Sequence, residues 1–315
     1  MSDKCPFCGK GKDEYPKCAF CKDKETSQAD ITSKTDTKAI SDLEIKQKTP
    51  DQGLKQKISD LEIKQKSPEI YTLVQKADIA LKQKNLAGHS ARVALCLDIS
   101  ASMGSLYRSG KVQALAERTL ALGCRFDDNG SIDIFLFGSS AYNAGAMTMD
   151  NFKGFIDNIN KKYQLESGTR YGLAIEMIRR FYFPDAKGQK RKKPINAALP
   201  VYVMFITDGE THDKPYTESQ IKWAAYEPVF WQFMGLGESK KDVRAGGIKG
   251  FLSRMIKPDF EFLEQLDEMS GRFVDNANFF SVKDPADIGD DELYSLMMGE
   301  YPDWLQAVRS KGLLG

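Results

Sequence analysis

Three runs in this chain are apolar on both faces, at 94–97, 201–206 and 229–234. A strand with one wetted face alternates apolar and polar residues, so such runs belong in a sheet covered on both sides. The strand-like segments are ARVALCLD (91–98), SIDIFLFG (131–138), LPVYVMFITD (199–208), PVFWQFMGLG (228–237) and GRFVDNANFF (271–280). Helical periodicity falls between and after them, at about 111–125, 150–162, 171–182, 215–225, 259–269 and 290–310. Ahead of them Ser67-Pro68-Glu69 starts a helix: a hydroxyl cap, proline at the first helical position and an early acid. That helix carries Ile70, Leu73, Val74, Ala77 and Leu81 inward and stops near Gly88. Strand and helix in alternation predict an α/β fold, a doubly wound, mostly parallel sheet flanked by helices. With 41% hydrophobic residues in 315, the core can be large.

The first run ends on a carboxylate and then places a hydroxyl at every second residue, in Asp98-Ile-Ser100-Ala-Ser102. In doubly wound sheets ligands bind beyond the carboxyl ends of the strands. Asp208, in FITDGE, stands at another strand end, and Thr169 lies on the loop before the helical stretch YGLAIEMIRRF. Two carboxylates and three hydroxyls thus come from loops on one edge of the sheet. Hard oxygen ligands in this number suit Mg²⁺ or Mn²⁺ and leave room for water. The hydroxyls coordinate without adding charge, so the cation stays electrophilic and accepts one more oxygen, such as a partner's Asp or Glu.

This D-x-S-x-S pattern, with a later Thr and Asp-Gly, resembles the metal-ion-dependent adhesion site of von Willebrand factor A (VWA) domains. KADIALKQKNL, ARVALCLDISASM, LYRSGKVQALAER, FDDNGSIDIFLFG, FITDGETHDK, PVFWQFMGLG, FVDNANFF and DDELYSLMMGEYPDWLQAVRSKGLL resemble the VWA domain at the C-terminus of TerF-type tellurium-resistance proteins. The resemblance spans about residues 69–315 and implies Asp98, Ser100, Ser102, Thr169 and Asp208 as the metal ligands. It also implies a role in bacterial tellurite or chemical stress resistance, as a scaffold for other resistance proteins.

Other patterns point elsewhere less strongly. Haloacid-dehalogenase-type phosphatases also place an acid at a strand end, but need a second Asp two residues on, where this chain has Ser100. The histidines, His89 and His212, accompany no Ser or Cys nucleophile elbow, so no general base is visible and the chain is expected not to be an enzyme. His212 reads as a solvated loop residue or a lining of the metal-site rim. Asp127-Asp128-Asn129-Gly130 reads as a turn rather than a calcium loop. Lys190-Arg191-Lys192-Lys193 has no interleaved aromatics, so it reads as a solvated loop before a nucleic-acid patch. Cys96 is expected in the core, and Cys124 has no assigned role.

Cys5, Cys8, Cys18 and Cys21 form two CxxC knuckles nine residues apart. Four thiolates suit a closed tetrahedral Zn²⁺ site, and short ribbons of the CPxCG kind resemble it; the metal would supply folding energy that so few residues cannot. ISDLEIKQK occurs at 40–48 and again at 58–66. Its thin apolar stripe, broken by Pro50 and Gly53, predicts a flexible or partly helical tether. The expected organisation is a zinc ribbon over 1–22, a repeat-containing linker over 23–66 and a VWA domain over 67–315. Net charge is +1, so no global field draws the chain to membranes or nucleic acid. No stretch has the length of a membrane span, and the first residues lack a signal-peptide core. The protein is expected in the cytoplasm, as a non-enzymatic, metal-dependent interaction protein. The alternative is a nucleic-acid-associated factor that uses the ribbon and the basic loop.

Overall fold

A computed structural model describes residues 58–127, 129–237 and 260–315. The chain divides into Met1–Gly53 and Leu54–Gly315, and every described residue belongs to the second unit. The four ribbon cysteines and the first repeat copy lie outside the described residues.

The sheet has six strands in the order β3-β2-β1-β4-β5-β6. They are β1 (Arg92–Asp98), β2 (Ser131–Phe137), β3 (Ala141–Thr148), β4 (Val201–Thr207), β5 (Val229–Leu236) and β6 (Ala277–Val282). All neighbours are parallel except β2 and β3, which form an antiparallel hairpin at one edge. The expectation of two-sided burial holds residue by residue. Leu95, Leu97, Met204, Ile206 and Met234 enter the core on one face; Ala94, Cys96, Val203, Phe205 and Phe233 enter the core on the other. Each of the Leu, Ile, Val, Met and Phe side chains among them contributes about 1.5–3 kcal/mol by leaving water. That is why these central runs carry no polar alternation.

The first face is covered by α2 (Pro68–Gln83), α4 (Lys111–Phe126), α5 (Phe155–Lys162), α9 (Asp290–Met297) and α10 (Tyr301–Ser310). The second is covered by α6 (Tyr171–Tyr182), α7 (Lys214–Ala224) and α8 (Glu261–Asp267). A short helix α3 (Gly104–Arg108) follows β1. Ser67 caps α2 as its sequence predicts, its hydroxyl accepting from the Ile70 N–H at 3.2 Å. Among the described residues no helix is long and apolar enough to cross a membrane.

Three details depart from the sequence reading. Strand β3 was not expected: AYNAGAMT holds Gly145 and Asn143, and of its side chains only Met147 is buried. The stretch at 290–310 is two helices, because Pro302 in the first turn of α10 has no N–H for the Met298 carbonyl, which a continuous helix would require. The last strand begins at Ala277, several residues later than expected.

The second repeat copy is part of the body. Helix α1 (Asp60–Lys66) is capped by Ser59, whose Oγ accepts from the Glu62 N–H at 3.2 Å. Ile63 is fully buried against the first core, Asp60 pairs with Arg125 at 2.7 Å, and Lys66 pairs with Asp150 at 3.0 Å. The tether read over 23–66 therefore includes, at its end, a segment held by apolar burial. Ile63→Asp is expected to undock α1 at a cost of about 1–3 kcal/mol. Trypsin would then cut at Lys64 and Lys66; an unchanged digestion pattern would show that Ile63 does not anchor the helix.

Candidate metal centre

Strands β1 and β4 are neighbours, and the chain winds away from them in opposite directions, towards β2 and towards β5. Their carboxyl ends border the crevice where a doubly wound sheet binds its ligands. Asp98 is the last residue of β1 and is fully buried, whereas Asp208 directly follows β4 and is half-buried. The Ser100 N–H donates to Asp98 Oδ1 at 2.7 Å, which turns the chain back at the strand end. Ser100 is buried and Ser102 exposed; their hydroxyl oxygens lie 3.0 Å apart. Ser102 Oγ in turn donates to Asp208 Oδ1 at 2.8 Å. A continuous ladder of side-chain oxygens therefore runs from the buried strand end to the surface.

Thr169 reaches this edge through its backbone. Its carbonyl accepts from the His212 N–H at 2.8 Å and from Thr211 Oγ1 at 3.2 Å. His212 Nδ1 lies 3.1 Å from the Thr169 N–H and 3.2 Å from the Thr169 carbonyl, so it can accept from the first or, when protonated, donate to the second. Asp213 secures the same loop, with Oδ1 accepting from Thr211 Oγ1 at 2.6 Å and from the Gly172 N–H at 3.2 Å. The loop carrying Thr169 is thus tied to the loop carrying Asp208.

Around these residues lies a shell that the sequence reading did not name. Thr207 donates to Asp98 Oδ2 at 2.6 Å and accepts from the Tyr171 hydroxyl at 3.1 Å. Tyr107 donates to the Asp98 carbonyl at 2.9 Å. Glu166 pairs its backbone with the turn, through Ile99 O at 2.8 Å and the Ala101 N–H at 2.9 Å. Its carboxylate accepts from the Ser140 N–H at 3.0 Å and the Tyr142 hydroxyl at 2.5 Å. Two glycines permit this close meeting of loops. A Cβ on Gly168 would lie 2.5 Å from Ser139 Oγ, and one on Gly138 would lie 2.6 Å from Glu166 Oε2. A signal for Thr207 existed, as a hydroxyl closing an otherwise apolar strand; Glu166 carried none, because nothing local marks a loop acid as a bracket.

Burial dominates the electrostatics. It pushes the Asp98 carboxyl up to about 6, against the lowering effect of the Thr207 and Ser100 hydrogen bonds, and the nearby Asp208 adds to the rise. Asp208 is also raised, first by burial, although Ser102 donates to it. The Tyr107 and Tyr171 hydroxyls are pushed well above their usual range by burial and by Asp98, so both stay neutral donors. A buried acid and a half-buried acid lie close enough for the second to raise the first, and among the described residues no cationic side chain is bonded to either, an arrangement that favours a positive ligand. The donors are carboxylate and hydroxyl oxygens only; among the described residues no group of three or more His, Cys, Asp or Glu gathers. That donor chemistry fits a hard divalent cation and not a soft one.

The remaining sequence candidates are also placed. Cys96 and Cys124 are buried thiols; burial raises the first well above its usual range and the second to about 12, so neither is a poised nucleophile. Arg191 of the basic loop turns inward, its guanidinium gripping Asp185 at 2.5 Å and Glu227 at 2.8 Å. Asn129 and Gly130 form a turn, with the Asn129 N–H on Asp127 Oδ1 at 3.0 Å.

The comparisons with known proteins follow this geometry. Over 231 residues the chain is 30% identical to the uncharacterized protein YcbR of Bacillus subtilis (strain 168), covering 71% of this chain and 82% of that one. Similar solved structures include the ArnB paralog VWA2 from Sulfolobus acidocaldarius, at 17% identity over 63% of this chain and 42% of that one, with a TM-score of 0.36. Another is proximal thread matrix protein 1 from the mussel byssus, with a zinc-occupied MIDAS motif, at 16% identity over 67% of this chain and 48% of that one, with a TM-score of 0.40. The chain therefore spans less than half of either of those solved proteins. The family model that describes the vWA found in the TerF C terminus matches residues 90–314, and the chain belongs to this vWA-TerF-like family.

Proposed function

We propose that this chain is a non-enzymatic scaffold whose VWA domain captures protein partners through a bound divalent cation. The observation that carries the reading is the oxygen ladder Ser100–Ser102–Asp208 beside the buried Asp98, at the crevice between β1 and β4. Asp98, Ser100, Ser102, Thr169 and Asp208 would hold Mg²⁺ or Mn²⁺, which supplies a positive centre for an Asp or Glu of the partner. The hydroxyls leave the cation's charge largely unspent, and the buried acids gain a counter-charge. The family supports a place in bacterial tellurite or chemical stress resistance, in the cytoplasm, with other resistance proteins as partners. Cys5, Cys8, Cys18 and Cys21 would hold Zn²⁺ in a separate closed site. The nucleic-acid reading loses ground because Arg191, the one arginine of the basic loop, is committed to Asp185 and Glu227.

Mg²⁺ is expected to raise the melting temperature of the full chain, and EDTA to reverse the rise. A cation at a hundredfold excess over its dissociation constant stabilises by about 2.7 kcal/mol. Isothermal titration that detects neither Mg²⁺ nor Mn²⁺ binding would remove this reading.

A further inference from the structure

The rim of the cation site carries two features that the site itself does not use. Leu165 is 40% exposed, one of few large apolar side chains so placed among the described residues. It directly precedes Glu166, whose backbone is bonded to the turn between Asp98 and Ser102. Arg108, at the end of α3, is the second feature. A Cβ built on Gly104 would lie 3.0 Å from Leu165 Cδ1 and 3.1 Å from Arg108 Nη1, so both side chains sit over Gly104, two residues past Ser102. On the other flank Arg170 follows Thr169 and is exposed. Neither arginine forms an ion pair among the described residues. Glu166, the acid next to Leu165, is already engaged with Ser140 and Tyr142.

An apolar side chain and a guanidinium held open beside a cation are complementary to one kind of surface. We propose that this rim selects a partner segment that combines three groups: a carboxylate for the cation, an apolar side chain for Leu165 and a second carboxylate for Arg108. The proposal rests on the cation reading above and adds the specificity that a lone carboxylate cannot supply, since one acid–metal contact fits almost any acidic surface. Covering Leu165 removes apolar area from water. A guanidinium meeting a carboxylate adds a directional, charge-assisted pair. Arg170 adds attraction for acidic segments without fixing their register.

The test pans a phage-displayed library of short random peptides on the immobilised full chain in Mg²⁺ and elutes with EDTA. Enriched peptides are then synthesised and titrated against wild type, Leu165→Ser and Arg108→Glu, with the Mg²⁺ melting shift of each protein measured in parallel. The expected peptides carry two acids with Leu, Ile, Met or Phe between or beside them. Leu165→Ser is expected to weaken them about tenfold and to erase the apolar preference when panning is repeated. Arg108→Glu should weaken them at least as much and erase the preference for the second acid, while both variants keep the wild-type melting shift. Peptides that bind both variants as they bind wild type would overturn the rim proposal and leave the cation site standing. A melting shift with no peptide eluted by EDTA would also overturn the proposal alone. The absence of any Mg²⁺ shift in wild type would remove the cation reading and the proposal together.

Discussion

Glu227→Ala is expected to destabilise the domain by about 3–5 kcal/mol, because it leaves the fully buried Arg179 guanidinium without a counter-charge and takes from Arg191 one of its two acids, Asp185 being the other. Arg179 and Glu227 are both fully buried, and their pairing is bidentate, with Nε to Oε2 at 2.8 Å and Nη2 to Oε1 at 3.0 Å. The same carboxylate receives Arg191 Nε at 2.8 Å. Arg179 also holds the loop beyond α6, through Gly188 O at 2.9 Å and Gln189 O at 3.0 Å, and binds Gln220 of α7 at 2.6 Å. The acid therefore joins α6 to the basic loop, and Arg179 extends the link to α7. Glu227→Gln keeps an acceptor but not the charge, so its loss should be intermediate. Urea denaturation of the three proteins measures the series; an alanine variant within about 1 kcal/mol of wild type would show that water reaches the arginines and replaces the acid.

Asp98→Ala is expected to abolish the Mg²⁺ melting shift while the domain still folds. The acid's folded pKa of about 6 lies above its ordinary value of 3.8. The sign follows: Asp98 favours folding at pH values below its unfolded pKa, and that contribution is lost as pH rises through about 6. At neutral pH without a cation, the ionised group is therefore a burden that alanine removes. What alanine also removes is the acceptor for the Ser100 N–H and for Thr207 Oγ1. The two effects oppose one another, so the melting temperature in EDTA should change by only a few degrees. Asp98→Asn keeps an acceptor and should fold at least as well, again with no Mg²⁺ response. Thr169→Ala should lower Mg²⁺ affinity less than either, because water can replace a neutral ligand. If Asp98→Ala unfolds the domain in EDTA, the residue is a structural turn-former; if its Mg²⁺ shift equals that of wild type, the cation does not sit at Asp98.

The sequence by itself determined the core and most of its elements. Runs at 94–97, 201–206 and 229–234 needed cover on both faces, and their side chains do alternate between two apolar cores. Helix α6 begins and ends where its periodicity does, and Ser67 caps α2 as Ser-Pro-Glu predicts. These features are local: burial demand, period and cap chemistry are written in consecutive residues. Strand β3 was not legible, because it is held largely by hydrogen bonds to β2 and fully buries only Met147 of its own side chains. For the site, sequence named the oxygens; the fold brings those of Asp98, Ser100, Ser102 and Asp208 together and ties Thr169 to the same edge through its backbone. Asp98 and Thr207 are far apart in the chain, yet parallel pairing of β1 with β4 places them side by side and lets one bond to the other at 2.6 Å. Glu166, His212 and Arg191 acquire their partners from loops that the sheet's winding brings close, so their contacts were not legible in any local pattern. Side-chain type is a property of the chain, but desolvation and contact depend on what the tertiary structure stacks around it.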